Sequence, residues 1–137
     1  MEKKNNQITG NIGLYYVCYR LSKNGWNALM TSRNAIGVDV VIYSQNAQRS
    51  CTVQVKTLTG KDDVPLGNHI ENLIAEYLTF CKYDINTDNP EVFIIPMSKV
   101  RELMHPRPLK NKEGNSYWLK QKCCENFKAN WIAFGNG

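Results

Sequence analysis

No stretch of these 137 residues is long and apolar enough to cross a bilayer. A membrane helix needs about 20 such residues in a row. The richest runs here, residues 38–43 and 92–95, have only the length of a strand. No apolar segment follows the basic start at residues 1–7, so nothing reads as a secretory signal. There is no CxxC pair either. Cys18, Cys51, Cys81, Cys123 and Cys124 are odd in number and scattered, whereas a zinc site wants spaced ligands and a disulfide framework an even set. Three of them sit inside apolar segments and read as small buried hydrophobes. His69 and His105 lie far from them in sequence and read as loop residues. Repeats and low-complexity linkers are also missing. These absences lead us to expect a soluble cytoplasmic protein with no membrane partner, folded as one domain over residues 1–137. At 42% hydrophobic, the chain can bury a core without covalent staples.

Charge is distributed unevenly. Residues 1–60 hold seven Lys and Arg against two acids, residues 61–98 two against seven, and residues 99–137 eight against three. Two basic thirds flank an acidic middle. A basic face can hold a polyanion through phosphate contacts and counterion release, although the same scatter also fits an ordinary solvated surface.

Hydrophobic periodicity predicts a helix over residues 7–22. Leu14, Val17, Cys18 and Leu21 form one stripe, Thr9 is a candidate cap, and Gly25 is the stop. Strands are expected at 26–31, 38–43 and 51–57, the last with a clean alternation of Cys51, Val53 and Val55 against Thr52, Gln54 and Lys56. Residues 60–68, with Gly60, Pro65 and Gly67, read as a loop. Strands follow at 77–82 and 92–95, then a helix capped by Ser98 that Pro106 and Pro108 end. A basic loop at 110–115, a short strand at 117–119 and a last helix near 125–131 complete the chain.

The chemistry concentrates in Gly37-Val38-Asp39-Val40-Val41 followed, after 14 residues between Asp39 and Gln54, by Gln54-Val55-Lys56. Alternation puts Gln54 and Lys56 on one side of their strand, about 7 Å apart. Pairing of adjacent strands can bring Asp39 beside them. A carboxylate and an amide oxygen are hard ligands suited to Mg²⁺, and a nearby ammonium can orient water or stabilise a phosphate under attack. Taken singly, Asp39 could cap a turn, and Gln54 and Lys56 could guard a solvent-facing strand.

With this strand order, the sequence resembles the PD-(D/E)XK nuclease superfamily, in the D…QxK branch that resembles Holliday junction resolvases and restriction endonucleases. Gly10-x-x-Gly13 at the helix start, Gly25, Gly37-Val38-Asp39, Gln54-Val55-Lys56, Val92-Phe93-Ile94-Ile95-Pro96 and the aromatic end with Asn130-Trp131 carry the likeness. It implies an α/β restriction-endonuclease-like fold: a three-layer sandwich with a central mixed β-sheet flanked by helices. It also implies a Mg²⁺- or Mn²⁺-dependent endonuclease cleaving DNA as a homodimer. Asp39 would be the principal metal ligand, with Gln54 and the Val55 carbonyl beside it, and Lys56 would be the catalytic lysine. Family members commonly carry a glutamate directly after the second glycine of the first helix; here that position is Leu14, and residues 7–22 hold no acid. Either the scissile phosphate or a distant acid such as Glu2 or Glu71 completes the site, or the domain binds nucleic acid or a partner protein without cutting. Arg20, Lys23, Arg33, Lys110, Lys112, Lys120 and Lys122 are the candidate phosphate contacts. Tyr15, Tyr16 and Tyr19 could stack on bases or pack. A protein with no nucleic-acid role and a coincidental QxK is the remaining alternative.

Overall fold

An 18-residue helix opens the computed structural model, which describes residues 5–32 and 35–137. This helix, α1 (Asn6–Lys23), is capped by Asn5, whose side-chain oxygen accepts the Ile8 amide at 2.9 Å. Thr9, the cap expected from the sequence, lies inside the first turn; the asparagine earlier in the chain reaches the orphan amides first. The expected apolar stripe faces inward, with Val17 and Leu21 fully buried and Leu14 and Cys18 half-buried beside them. Gly25 ends the helix at φ +90°, a backbone region that glycine adopts without strain.

The chain then builds β1 (Asn27–Met30), β2 (Val40–Tyr43) and β3 (Ser50–Leu58) as consecutive antiparallel neighbours. It crosses over to β5 (Tyr77–Lys82), which pairs with β3 in parallel, and returns along β6 (Glu91–Pro96). The resulting mixed sheet has the order β1-β2-β3-β5-β6. Strand alternation divides its side chains between two cores. Val53, Cys81, Val92 and Ile94 pack with Val17 and Leu21 under α1, whereas Leu78, Phe80, Phe93 and Ile95 face the other way.

The second face carries the main difference from expectation. Besides α2 (Met97–Leu103), it is covered by a three-stranded sheet of β4 (Val64–Gly67), β8 (Asn115–Leu119) and β7 (His105–Pro108), in the order β4-β8-β7. Val64, Leu66, Val100 and Leu119 close the core from this side. β4 falls in a stretch read as loop, and β7 in a stretch read as a helix break. Both contain proline, which forfeits a ladder donor but is tolerated at a sheet edge, and both are edge strands. Pro96, not Ser98, stands at the cap position of α2. The expected last helix is replaced by 3-10 turns at Gln121–Phe127 and Trp131–Ala133. The segment between those turns covers the β6 edge, where Ala129 donates to the Val92 carbonyl at 2.7 Å.

Gly13 sets how closely α1 approaches the sheet. A Cβ on Gly13 would overlap the Oγ1 of Thr57 on β3, and the Gly13 carbonyl accepts the buried Cys81 thiol at 3.9 Å. Gly13→Ala is therefore expected to lower unfolding free energy by about 1–3 kcal/mol through overpacking. Gly13→Ala combined with Thr57→Ala should recover part of that loss. Chemical denaturation of the two variants checks this, and equal stability of Gly13→Ala and wild type would contradict the close contact.

Candidate functional site

The site is built where β2 and β3 part company. The last β2 residue paired with β3 on this side is Val40, opposite Val53. One residue before it, the Asp39 amide still donates to the Val53 carbonyl at 2.9 Å. The next inward-facing donor on β3, the Val55 amide, finds no strand carbonyl there. It donates instead to the Asp39 carboxylate, Oδ2 at 2.7 Å. A charged acceptor thus takes over a rung of the ladder.

Asp39 is held from behind by two further elements. Thr31, just after β1, donates its amide to the Asp39 carbonyl at 2.9 Å and its hydroxyl to the Val38 carbonyl at 2.6 Å. Gly37 turns the chain at φ +71°, where a Cβ would overlap the Asn72 carbonyl, so a larger residue would push the whole segment away.

Asp39 and Val55 open into a cleft of about 410 Å³ against α1. The helix lines it with Gln7, Gly10, Asn11 and Leu14, and Thr31 and Ser32 lie opposite. Leu14 therefore faces the cleft that holds Asp39. Asn11, Thr31 and Ser32 were not among the residues singled out from the sequence. Asn11 stands three residues before Leu14 on the same helix face and could have been found by extending that periodicity. Thr31 and Ser32 carry no sequence signal of their own.

Gln54 lies elsewhere. Val53 and Val55 belong to the α1 side of the sheet, so Gln54 projects to the other face. There it lines a second cleft of about 290 Å³, with Ile36, Gly37, Leu66 and Gly67 among its walls. Its Oε1 is buried with no hydrogen-bond partner among the described residues. Segment 37–39 stands between the two clefts, with Gly37 lining one and Asp39 the other. Lys56 is half-buried on the same face as Gln54 by alternation and borders neither cleft.

Among the described residues no group of three His, Cys, Asp or Glu converges. The donors around the fork are hard oxygens: the Asp39 carboxylate, the orphaned Gln54 Oε1, and the Val55 carbonyl, which points to the same edge of β3 as its amide. Such a set suits a hard divalent cation that keeps several waters, and not zinc. Glu71 is exposed beside His69 and lines neither cleft, and Glu2 lies outside the described residues. The cysteines take no part. Burial pushes the Cys124 thiol up to about 12; for Cys51 burial, then the nearby Glu76, does the same, and burial raises Cys81 further.

The candidate phosphate contacts differ in availability. The Arg20 guanidinium lies 4.6 Å from the Trp131 ring centroid and donates to the Tyr16 hydroxyl at 3.1 Å, so packing already occupies it. Lys23 sits over the Tyr19 ring at 5.5 Å, and Tyr15 and Tyr19 are each 55% exposed. Lys110, Lys112, Lys120 and Lys122 are exposed, and Arg33 lies outside the described residues.

No protein-family model matches the sequence, and no curated protein matches it. Among solved structures the chain resembles a bacterial homing endonuclease, I-Ssp6803I, with a TM-score of 0.63 and 13% identity, covering 96% of this chain and 93% of that one. It also matches Hjc, a Holliday junction resolvase of Archaeoglobus fulgidus, at 13% identity over 80% of this chain and 89% of that one, with a TM-score of 0.45. The restriction-endonuclease-like fold expected from the D…QxK resemblance is the fold observed.

The rung between Asp39 and Val55 separates a structural from a chemical role for this carboxylate. Asp39→Ala leaves the Val55 amide without its acceptor and should cost about 1–3 kcal/mol of stability. Asp39→Asn keeps an acceptor and should cost less than half of that. Urea denaturation of both variants measures the difference, and equal losses would contradict the hydrogen bond.

Proposed function

We propose that the protein is a divalent-metal-dependent endonuclease that cleaves phosphodiester bonds in DNA. The observation that carries this reading is the Asp39 carboxylate docked on the Val55 amide at the β2–β3 fork of a nuclease-like fold, with the buried, unpaired Gln54 Oε1 on the opposite face of the same strand. Asp39, the Val55 carbonyl and Gln54 would hold Mg²⁺ or Mn²⁺. When bound, the metal supplies Lewis-acid charge and lowers the pKa of water. Asp39 fixes its carboxylate through the Val55 rung and needs little reorganisation to act as a ligand. The Gln54 amide oxygen, already stripped of water, loses no hydrogen bond on gaining a ligand. Lys56 brings an ammonium to the Gln54 face, where it would orient the attacking water or offset charge gathering on the phosphate. Cutting both strands of a duplex takes two such sites, so a homodimer is the proposed assembly.

Plasmid cleavage in Mg²⁺, with EDTA as control, tests the proposal. Lys56→Ala should fold as wild type and lose about 10²-fold or more in rate. Cleavage that survives EDTA, or a Lys56→Ala variant as fast as wild type, would overturn the assignment.

Leu14 favours a second reading, a nuclease-fold module that binds nucleic acid or a partner without cutting. It puts an apolar side chain into the Asp39 cleft where family members commonly have a glutamate. Leu14→Glu distinguishes the two readings. In EDTA the variant should be less stable by roughly 1–3 kcal/mol, since a half-buried carboxylate replaces apolar contact. Mg²⁺ or Mn²⁺ should restore part of that loss, because a ligand that binds only the native state stabilises it. Nicking that appears only in the variant would favour the non-cutting reading of the natural chain. Equal metal-induced melting shifts for variant and wild type would mean that position 14 does not reach the metal.

A further inference from the structure

We infer that the β7–β8 hairpin is an arm that enters the major groove of duplex DNA beside the bond held at the fork; this rests on the nuclease reading above. Three features point to it. The first is reach. β4 accompanies β8 only as far as the pair Gly67↔Tyr117, whereas β7 and β8 continue through Arg107↔Ser116 and Pro108↔Asn115. Two further pairs carry the ribbon about 7 Å past Gly67 before its turn begins. Gly67, Asn68 and His69 line the Gln54 cleft, so the ribbon's free end lies at the same end of the small sheet as that cleft.

The second feature is charge. Residues 105–122 contain Arg107, Lys110, Lys112, Lys120 and Lys122 against the single acid Glu113, and all five cations are exposed. Lys110 and Lys112 occupy the turn itself. There Leu109 donates to the Gly114 carbonyl at 3.1 Å, and Asn111 and Gly114 adopt φ of +61° and +103°.

The third is order. Arg107 is fixed to the Asp63 carboxylate and lies 4.5 Å from the centroid of the Trp118 ring, and Trp118 donates to the Ser116 hydroxyl at 2.7 Å. The ribbon is therefore braced at its base and has its free cations at its tip. A two-stranded ribbon fits the B-form major groove, about 12 Å wide, whereas the A-form RNA major groove is too deep and narrow for it.

Binding in EDTA separates this arm from catalysis. Wild type, Lys110→Ala/Lys112→Ala and, as a control on α2, Lys99→Ala are titrated against a labelled duplex DNA at several salt concentrations. The hairpin variant should lose about two units from the slope of log K against log salt and bind about tenfold or more weakly, with an unchanged melting temperature. Lys99→Ala should match wild type. Wild type, but not the hairpin variant, should shield guanine N7 from methylation, since N7 lies in the major groove. Duplex RNA should compete poorly with the labelled DNA. A hairpin variant with the wild-type slope and protection overturns the arm, as does duplex RNA competing equally. Mg²⁺-dependent cleavage in the same preparations reads the nuclease proposal independently. Cutting without a hairpin effect refutes the arm alone, and hairpin-dependent binding without cutting refutes the nuclease alone. A wild type that neither binds nor cuts refutes both.

Discussion

The Val55 amide would have no partner at the β2–β3 fork were it not for Asp39, and much of the site's geometry follows from that one bond. Two strands that separate must leave backbone donors and acceptors behind, and a buried donor without a partner costs about 1–3 kcal/mol. Asp39 meets this demand with a side chain, which lets the chain turn away from β3 while the ladder stays satisfied for one more rung. Thr31 and Gly37 then stabilise the segment that makes the turn. The modest bland role for Asp39, ending a strand neatly, and the chemical role, presenting a carboxylate at a fork, are thus served by the same geometry. A hydrogen bond to Oδ2 orients the carboxylate; it does not use up the acid, which has a second oxygen and further lone pairs.

The helix side of the cleft depends on a different constraint. Gly13 lets α1 sit against Thr57, and the N-terminal half of the helix, with Gln7, Gly10, Asn11 and Leu14, lines the cleft at that approach. At that distance Leu14 can lie over the Asp39–Val55 edge while Val17 and Leu21, one and two turns further on, remain in the core. A position shared between core and cleft has competing requirements. Leucine favours packing, and a glutamate would favour cation binding at a cost in desolvation. In this chain the apolar choice leaves Asp39 as the one carboxylate lining the cleft among the described residues.

Much of this was legible in the sequence because the central sheet is dictated by period-two patterning. Tyr77–Lys82 matches its expected bounds, because a β-branched and aromatic run with few charges has little alternative to a buried strand. The Asp39 and Gln54 strands are neighbours, as the short polar loop between them suggested. β4 and β7 were illegible for the opposite reason. Val64-Pro65-Leu66-Gly67 and His105-Pro106-Arg107-Pro108 are strands only because β8 lies between them: no local propensity announces the distant partner of β4, and in β7 two prolines mask a hairpin with the nearby β8. The separation of Gln54 from Asp39 was also hidden. Alternation correctly puts Gln54 and Lys56 on one face, but it cannot say that Asp39 turns toward the α1 side at the fork.

This separation bears on how a cation could be held under the proposed reading. Asp39 and Gln54 approach the fork from the two faces of the sheet, with the backbone of Val55 between them, so the protein offers one charge and two neutral oxygens. Attraction between a divalent ion and a single carboxylate at a solvent-accessible cleft is modest, because water screens it. Phosphate oxygens of a bound duplex would carry the missing negative charge. Metal and DNA would then each strengthen the other's binding by the same factor, as linkage requires. In such a scheme the exposed lysines matter to the metal as well as to the DNA. They would hold the backbone in place without relying on the cation, so that the scissile phosphate would arrive as a ligand and not as a competitor. Lys120 and Lys122 beyond β8, and Lys110 and Lys112 at the hairpin turn, are free to do this, whereas Arg20 is already committed to Tyr16 and Trp131. Under that reading a carboxylate-poor cleft and an exposed set of lysines elsewhere on the domain are electrostatically coherent: the charge that Leu14 withholds would be brought in by the bound phosphate.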